Sequence, residues 1–334
     1  MIRIGIVATS SVVPKVEFEI GVGFLKSKGF EVEVHPKVLG ESMFYPAPDA
    51  ERAEALIEMA LRKDLDALWC ARGGYGATHL LPMLNRAKNT LKRAPKKTLL
   101  GYSDATALLE WFRVNLGWQT IHAPMPSLRT FSLLPANEWN SVESLLKYSV
   151  KQAKAPKAEF TLEPLHVPKG FAQVEAPLVG GNLFVWNSLL GTPDQGQARG
   201  KILFLEEIAE NLGRVNRMMH HLEQAGGLKG VKALVLGDFL DCVDTVPSCL
   251  VAGPKPGVDL ESFLRQPPKD ALGPLRTLHA PELAFDFIFQ GVGERNRIPV
   301  FKGLPVGHGP NHYSLYLGKK YKLRMKGLLS LAQL

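Results

Sequence analysis

Ser103 stands between a short apolar segment, Thr98-Leu99-Leu100-Gly101, and an apolar-periodic stretch that runs from Asp104 through Leu108, Trp111 and Phe112. A serine at a strand-to-helix turn exposes its hydroxyl beside the first-turn N–H groups, which have no partner inside the helix. Such donors can stabilise the negative charge on a carbonyl oxygen under attack. The same position equally suits an ordinary helix N-cap. A serine nucleophile needs a base, and the base needs a third group to fix its tautomer. Of the nine histidines, His308 lies between two glycines past the apolar 298–306 segment, and His122 ends an apolar strand in reach of Ser103. His220 and His221 sit beside Met218 and Met219 on an amphipathic helix, where packing or exposure explains them; His35, His79, His166 and His279 have no flanking signature. Glu206 closes the apolar run Ile202–Leu205, with Glu207 on the opposite face. A carboxylate ending such a strand requires a partner. His308 would complete a triad with Ser103; Arg214 or Arg217 would make a plain ion pair. Chemistry alone leaves both readings open.

The elements around these residues alternate. Strands are expected over 2–8, 30–34, 65–71, 98–101 and 120–124, with helices over 16–28, 50–63, from near Ala77, over 104–116 and near 136–148. That order implies a mainly parallel sheet flanked by helices, with sites at the carboxyl ends of its strands. Ser103 and the turn Arg72-Gly73-Gly74-Tyr75-Gly76 both fall there. Residues 1–150 thus read as an α/β domain, 151–170 as a Pro- and Lys-containing linker or crossover, and 171–334 as a second, β-rich α/β domain. In the second domain, helices are expected over 183–190, 213–224 and 258–265, strands over 202–205 and 232–237, and a Pro/Gly-rich loop near 244–257. Gly21 and Gly23 fall inside a helix, so they make no dinucleotide-binding turn.

At 46% apolar and 22% charged residues, the composition is that of a globular protein with a sizeable core. Three cysteines form no even framework and point to a reducing compartment, taken as the cytoplasm. The first strand is too short for a signal segment, and no apolar run reaches membrane-spanning length. The net charge is +8, yet the cluster Lys88, Lys92, Arg93, Lys96 and Lys97 lacks interleaved aromatics. It reads as a solvated loop rather than a nucleic-acid surface. Pro310 breaks any shared face for His308 and His312, and there is no metal-binding cysteine or histidine cluster; no metal is expected.

Six segments in order resemble peptidase family S66, the LD-carboxypeptidases. They are Arg72–Gly76, Gly101–Thr106, Gly180-Gly181-Asn182-Leu183, Gly191-Thr192-Pro193, Ile202–Glu207 and Gly307-His308-Gly309. The resemblance implies two α/β domains with the active site in the groove between them, and a Ser103–Glu206–His308 triad. With Ser103 as nucleophile, the oxyanion donors expected are the backbone amides of Asp104 and of Gly74 in the Gly73-Gly74 turn, and candidate substrate contacts are Arg72, Gly73 and Asn182, although Arg72 can equally brace the turn and Asn182 can equally cap the next helix. The resemblance further implies a cytoplasmic homodimer, without cofactor, that removes D-alanine from muropeptide tetrapeptides during peptidoglycan recycling. Two departures are Glu207, where members usually carry Asp, and Ala123, where Gly is common. A microcin-C-immunity-like peptidase acting on peptidyl nucleotides is the rival enzyme, with Trp186 or the 244–257 loop as base platform. A muropeptide-binding protein without turnover is the non-enzymatic rival.

Overall fold

The computed structural model describes all residues except 152, 154–155, 157–158, 248–260, 262–274, 278–279 and 332–334. Two sheets organise it. The first has six strands in the order β14-β5-β4-β3-β1-β2: β1 (Arg3–Val7), β2 (Glu31–Val34), β3 (Ala67–Cys70), β4 (Thr98–Gly101) and β5 (Gln119–His122) run parallel. All of β3 and β4 is buried, as expected of strands covered by helices on both faces. Helices α1 (Lys15–Ser27), α2 (Asp49–Leu61), α3 (Leu81–Leu91), α4 (Thr106–Leu116) and α5 (Ala136–Lys151) supply that cover.

The second sheet has eight strands, β6-β16-β15-β8-β9-β10-β13-β7. Its parallel centre is β8 (Gln173–Asn182), β9 (Ile202–Ile208), β10 (Ala233–Leu240) and β13 (Val300–Lys302). Helices α6 (Leu183–Ser188), α7 (Leu212–Gln224) and α8 (Pro281–Asn296) pack on it around a second apolar core. The same sheet takes β15 (Lys320–Arg324) and β16 (Leu328–Leu331) on one side, while β11 (Thr245–Pro247) and β12 (Leu275–Thr277) form a separate antiparallel pair.

Four expectations change. The stretch 151–170 carries two strands, β6 (Glu159–Thr161) and β7 (Glu163–His166), which close the two edges of the second sheet. Strand β14 (Leu315–Leu317) returns to the first sheet and pairs antiparallel with β5, so the C-terminal half lends a strand to the N-terminal one. The basic cluster is not one solvated loop. Lys88 lies in the last turn of α3, and Lys97 is buried with its Nζ donating to the Ala60 carbonyl at 2.8 Å. Helix α8 was not anticipated, and the helix expected over 258–265 lies almost wholly outside the described residues.

The sheets meet through α4, which packs against β8 and α6. Eight of its eleven residues are buried, including Leu108, Trp111 and Phe112. Gly181, at φ +151°, permits this approach: a Cβ there would lie 2.4 Å from Thr106 Oγ1. The Thr106 hydroxyl accepts the Asn182 amide at 3.1 Å. The helix that begins just after Ser103 is therefore also the seat of the second half.

Candidate active site

Ser103 leaves β4 with φ +60°, a left-handed conformation that costs a non-glycine residue roughly 1–3 kcal/mol. It opens a single 3-10 turn, Ser103–Ala105, which passes into α4. Neither the turn nor the helix has a side-chain cap, so the capping reading of Ser103 fails and the hydroxyl is left facing the cavity. Gly73 closes over it: a Cβ on Gly73 would lie 3.1 Å from Ser103 Oγ. Gly74, at φ +106°, is pressed on Ser11, whose hydroxyl accepts the Tyr75 amide at 3.2 Å. The Asp104 carboxylate is buried and accepts the Ala77 amide at 2.9 Å. Burial raises its pKa, against the pull of the nearby Ser10 hydroxyl and the Ala77 amide. Asp104 thereby ties the 72–77 turn to the serine turn.

The second half contributes a carboxylate and an imidazole. Both glutamates lie within β9 rather than past its end, and they alternate sides as a strand requires. Glu206 is fully buried, and its Oε2 meets His308 Nδ1 at 2.6 Å. Arg214 pairs instead with Glu210, so the ion-pair alternative for Glu206 is not realised. Burial opposes both charges, but each group overcomes it for the other. The imidazole beside Glu206 lowers the carboxyl pKa, and the carboxylate raises that of His308. The flanking glycines allow this placement. A Cβ on Gly307 (φ +136°) would lie 2.9 Å from Glu206 Oε2, and one on Gly309 would lie 2.3 Å from the Asp238 carboxyl carbon. Asp238 accepts the Gly309 amide at 3.2 Å, and burial pushes its pKa up to about 6.

A cavity of about 270 Å³ brings Ser103, His308, Arg72, Gly73 and Gly74 together. No hydrogen bond joins Ser103 to His308; they face the same space from opposite halves. Arg72 lines the cavity while its guanidinium donates to the Val12 carbonyl, so it braces the loop that carries Ser11. Asn182 is not on the cavity. Its side-chain oxygen caps α6 through the Val185 amide at 3.1 Å, and its amide donates to Glu207 at 2.8 Å. Glu207 also accepts the Phe184 amide at 2.7 Å, which fastens α6 to β9. Trp186 is 1% exposed in the second core and offers no stacking face, while the loop near 244–257 lies mostly outside the described residues. Among the described residues no group of three or more His, Cys, Asp or Glu is arranged to hold a metal ion.

A strained serine turn facing a carboxylate-bound imidazole is an arrangement suited to acyl transfer. Residues 4–123 match the LD-carboxypeptidase N-terminal domain, and residues 175–323 match the LD-carboxypeptidase C-terminal domain. The chain belongs to the LD-carboxypeptidase family. This LD-carboxypeptidase relative is 32% identical over 246 residues to the probable murein peptide carboxypeptidase of Bacillus subtilis, covering 72% of this chain and 73% of that one. Muramoyltetrapeptide carboxypeptidase from Oxalobacter formigenes superposes with a TM-score of 0.73 at 26% identity over 99% of each chain. The microcin C7 self-immunity protein MccF of Escherichia coli is 27% identical over 260 residues, 70% of this chain and 74% of that one. No helix among the described residues is long and apolar enough to cross a membrane.

Two side-chain roles in this candidate site are not visible in the sequence: the Asp104 carboxylate, beyond its backbone amide, as a strut, and Asp238 behind His308. The signal for Asp238 was Gly309, a position that excludes any side chain because a carboxyl group already fills the space.

Proposed function

We propose that this chain is a serine LD-carboxypeptidase that removes the terminal D-alanine from muropeptide tetrapeptides. The observation that carries the reading is the 2.6 Å Glu206–His308 contact across one cavity from a serine held at φ +60°. Closing the Ser103–His308 gap onto a bound peptide lets His308 Nε2 take the hydroxyl proton as Oγ attacks the carbonyl carbon. Glu206 accepts from Nδ1, holds the reactive tautomer and stabilises the imidazolium. The oxyanion would be held by the Asp104 amide, in the first turn after Ser103, and by the Gly74 amide opposite. His308 then gives its proton to the departing D-alanine nitrogen. Water, deprotonated by the same imidazole, releases the shortened peptide and restores Ser103. Arg72 and Gly73 line the path of the substrate; Asn182, committed to Glu207 and α6, has no part in it.

A cytoplasmic setting is favoured by Cys70 and Cys242, buried free thiols whose pKa burial pushes up to about 12. The homodimer implied by the family resemblance is tested by light scattering. Kinship to the MccF protein keeps a nucleotide-conjugate substrate as the second reading, although buried Trp186 removes one platform for it. Mass spectrometry of a muramyl tetrapeptide incubated with wild type and with Ser103→Ala decides the matter. Loss of one alanine with wild type alone supports the proposal; hydrolysis by both proteins would sink the nucleophile assignment. Cleavage of an aminoacyl sulfamoyl adenosine in its place would transfer the site to the second reading.

A further inference from the structure

Glu206 has two carboxylate oxygens, and His308 uses only one. Oε1 points the other way, toward His122 Nε2 at 4.0 Å. Both of these atoms are buried, and neither has a hydrogen-bond partner. Leaving a buried carboxylate oxygen and a buried ring nitrogen unpaired is costly, and here each is the group that faces the other. A shift of about 1 Å brings them to hydrogen-bond distance. The ring of His122 is already aimed. It ends β5, in register with Gly101 of β4 and Leu315 of β14. It stands edge-on to Phe204 of β9, at 5.2 Å and 89°, and to Tyr102 at 5.8 Å and 68°.

We propose that His122 is a positioning residue for the carboxylate: its Nε2–H closes on Glu206 Oε1 and holds the carboxylate plane so that Oε2 stays on His308 Nδ1. The inference rests on the Ser103–Glu206–His308 reading above. A neutral imidazole with its proton on Nε2 is sufficient. His122 belongs to the first sheet and Glu206 to the second, so the carboxylate is fixed only when the two sheets are docked. The other groups around this pair leave the role to His122. Tyr102 packs against the rings of both His122 and His308, and burial keeps its hydroxyl protonated. Asp238 on β10 is engaged by the Gly309 amide, and Glu207 on β9 faces α6.

The test reads the serine directly, through its rate of labelling by a fluorophosphonate across pH, in wild type, His122→Phe and His122→Gln. The phenyl ring keeps the shape and removes the donor; the glutamine amide can donate where Nε2–H does. We expect His122→Phe to slow labelling roughly 10–100-fold, taking as the scale the loss seen when a partner that orients a metal-bound histidine is removed. Its acid limb moves down toward the ordinary histidine value of 6.5, and His122→Gln restores both rate and limb. An acid limb that stays in place in His122→Phe, whatever the rate, overturns the proposal, as does a failure of glutamine to rescue. Wild type that resists labelling overturns the serine reading and this proposal together, whereas labelled wild type with an unmoved limb overturns this proposal alone. Nitrogen-15 spectra of histidine-labelled wild type need no variant to fold. They must show the Nε2–H tautomer at His122, and an Nδ1–H tautomer overturns the assignment.

Discussion

The two halves of the molecule hold their reactive groups by opposite means. Ser103 is held by its backbone: a positive φ, no side-chain bond, and a glycine turn pressed against it. Glu206 and His308 are held by their side chains, through burial and a 2.6 Å contact, on a regular strand and a glycine-flanked loop. Strain aims an exposed atom without occupying its lone pairs, which suits a nucleophile. Pairing fixes a proton and a charge, which suits a base and its orienter.

The largest effect should come from Ser103→Gly. Turnover falls on the order of 10⁶-fold, while relief of the left-handed conformation raises stability by about 1 kcal/mol in urea unfolding. A loss of stability there would break the claim that the backbone carries the strain. Glu206→Gln should cost on the order of 10⁴-fold in kcat, because the amide can leave the wrong histidine tautomer in place. Gly309→Ala should cost less, roughly 10–100-fold, since its methyl group meets the Asp238 carboxyl and displaces His308. The paired variant Gly309→Ala with Asp238→Ala should recover part of that loss, measured as kcat/KM.

The smallest effect is in pH, and it separates activity from stability. On the proposed mechanism catalysis needs neutral His308, so the acid limb of kcat/KM should lie above the ordinary value of 6.5. For stability the signs differ. The raised His308 contributes stability that is complete below 6.5 and lost as pH rises through its folded pKa. The lowered Glu206 contributes stability that is present above 4.5 and lost as pH falls through its folded pKa. The pair therefore stabilises most between 4.5 and 6.5, below the range where the site works. Thermal melts of wild type against Glu206→Gln across pH should show this as a difference that shrinks on either side of the window.

The same contrast explains what could be read from sequence. The serine turn was legible because a Gly, a Ser and an apolar period follow one another locally. His308 was legible from its two glycines, and Glu206 from the apolar run before it. The contact between His122 and Glu206 joins residues 84 positions apart, on different sheets, and no local pattern encodes it. Asn182 fitted a cap and a ligand equally well until Glu207 was seen to take its amide. Strands β6 and β7 are edge strands of three and four residues, one containing Pro164, too short for alternation to show. Lys97 looked solvated because its shorter ammonium contact, to the Ala60 carbonyl of α2, comes from 37 positions away.

Strand β14 gives the molecule an order of assembly. Until residues 315–317 emerge during synthesis, β5 has a bare edge, and the second sheet still lacks β15 and β16. His308 emerges only a few residues earlier, long after Ser103 and Glu206 have been made. On the proposed mechanism, a nascent chain thus builds its nucleophile and its orienting carboxylate first, and the base arrives together with the strand that joins the halves. A truncated product that stops before His308 lacks both the proposed base and the strand β14 that pairs with β5.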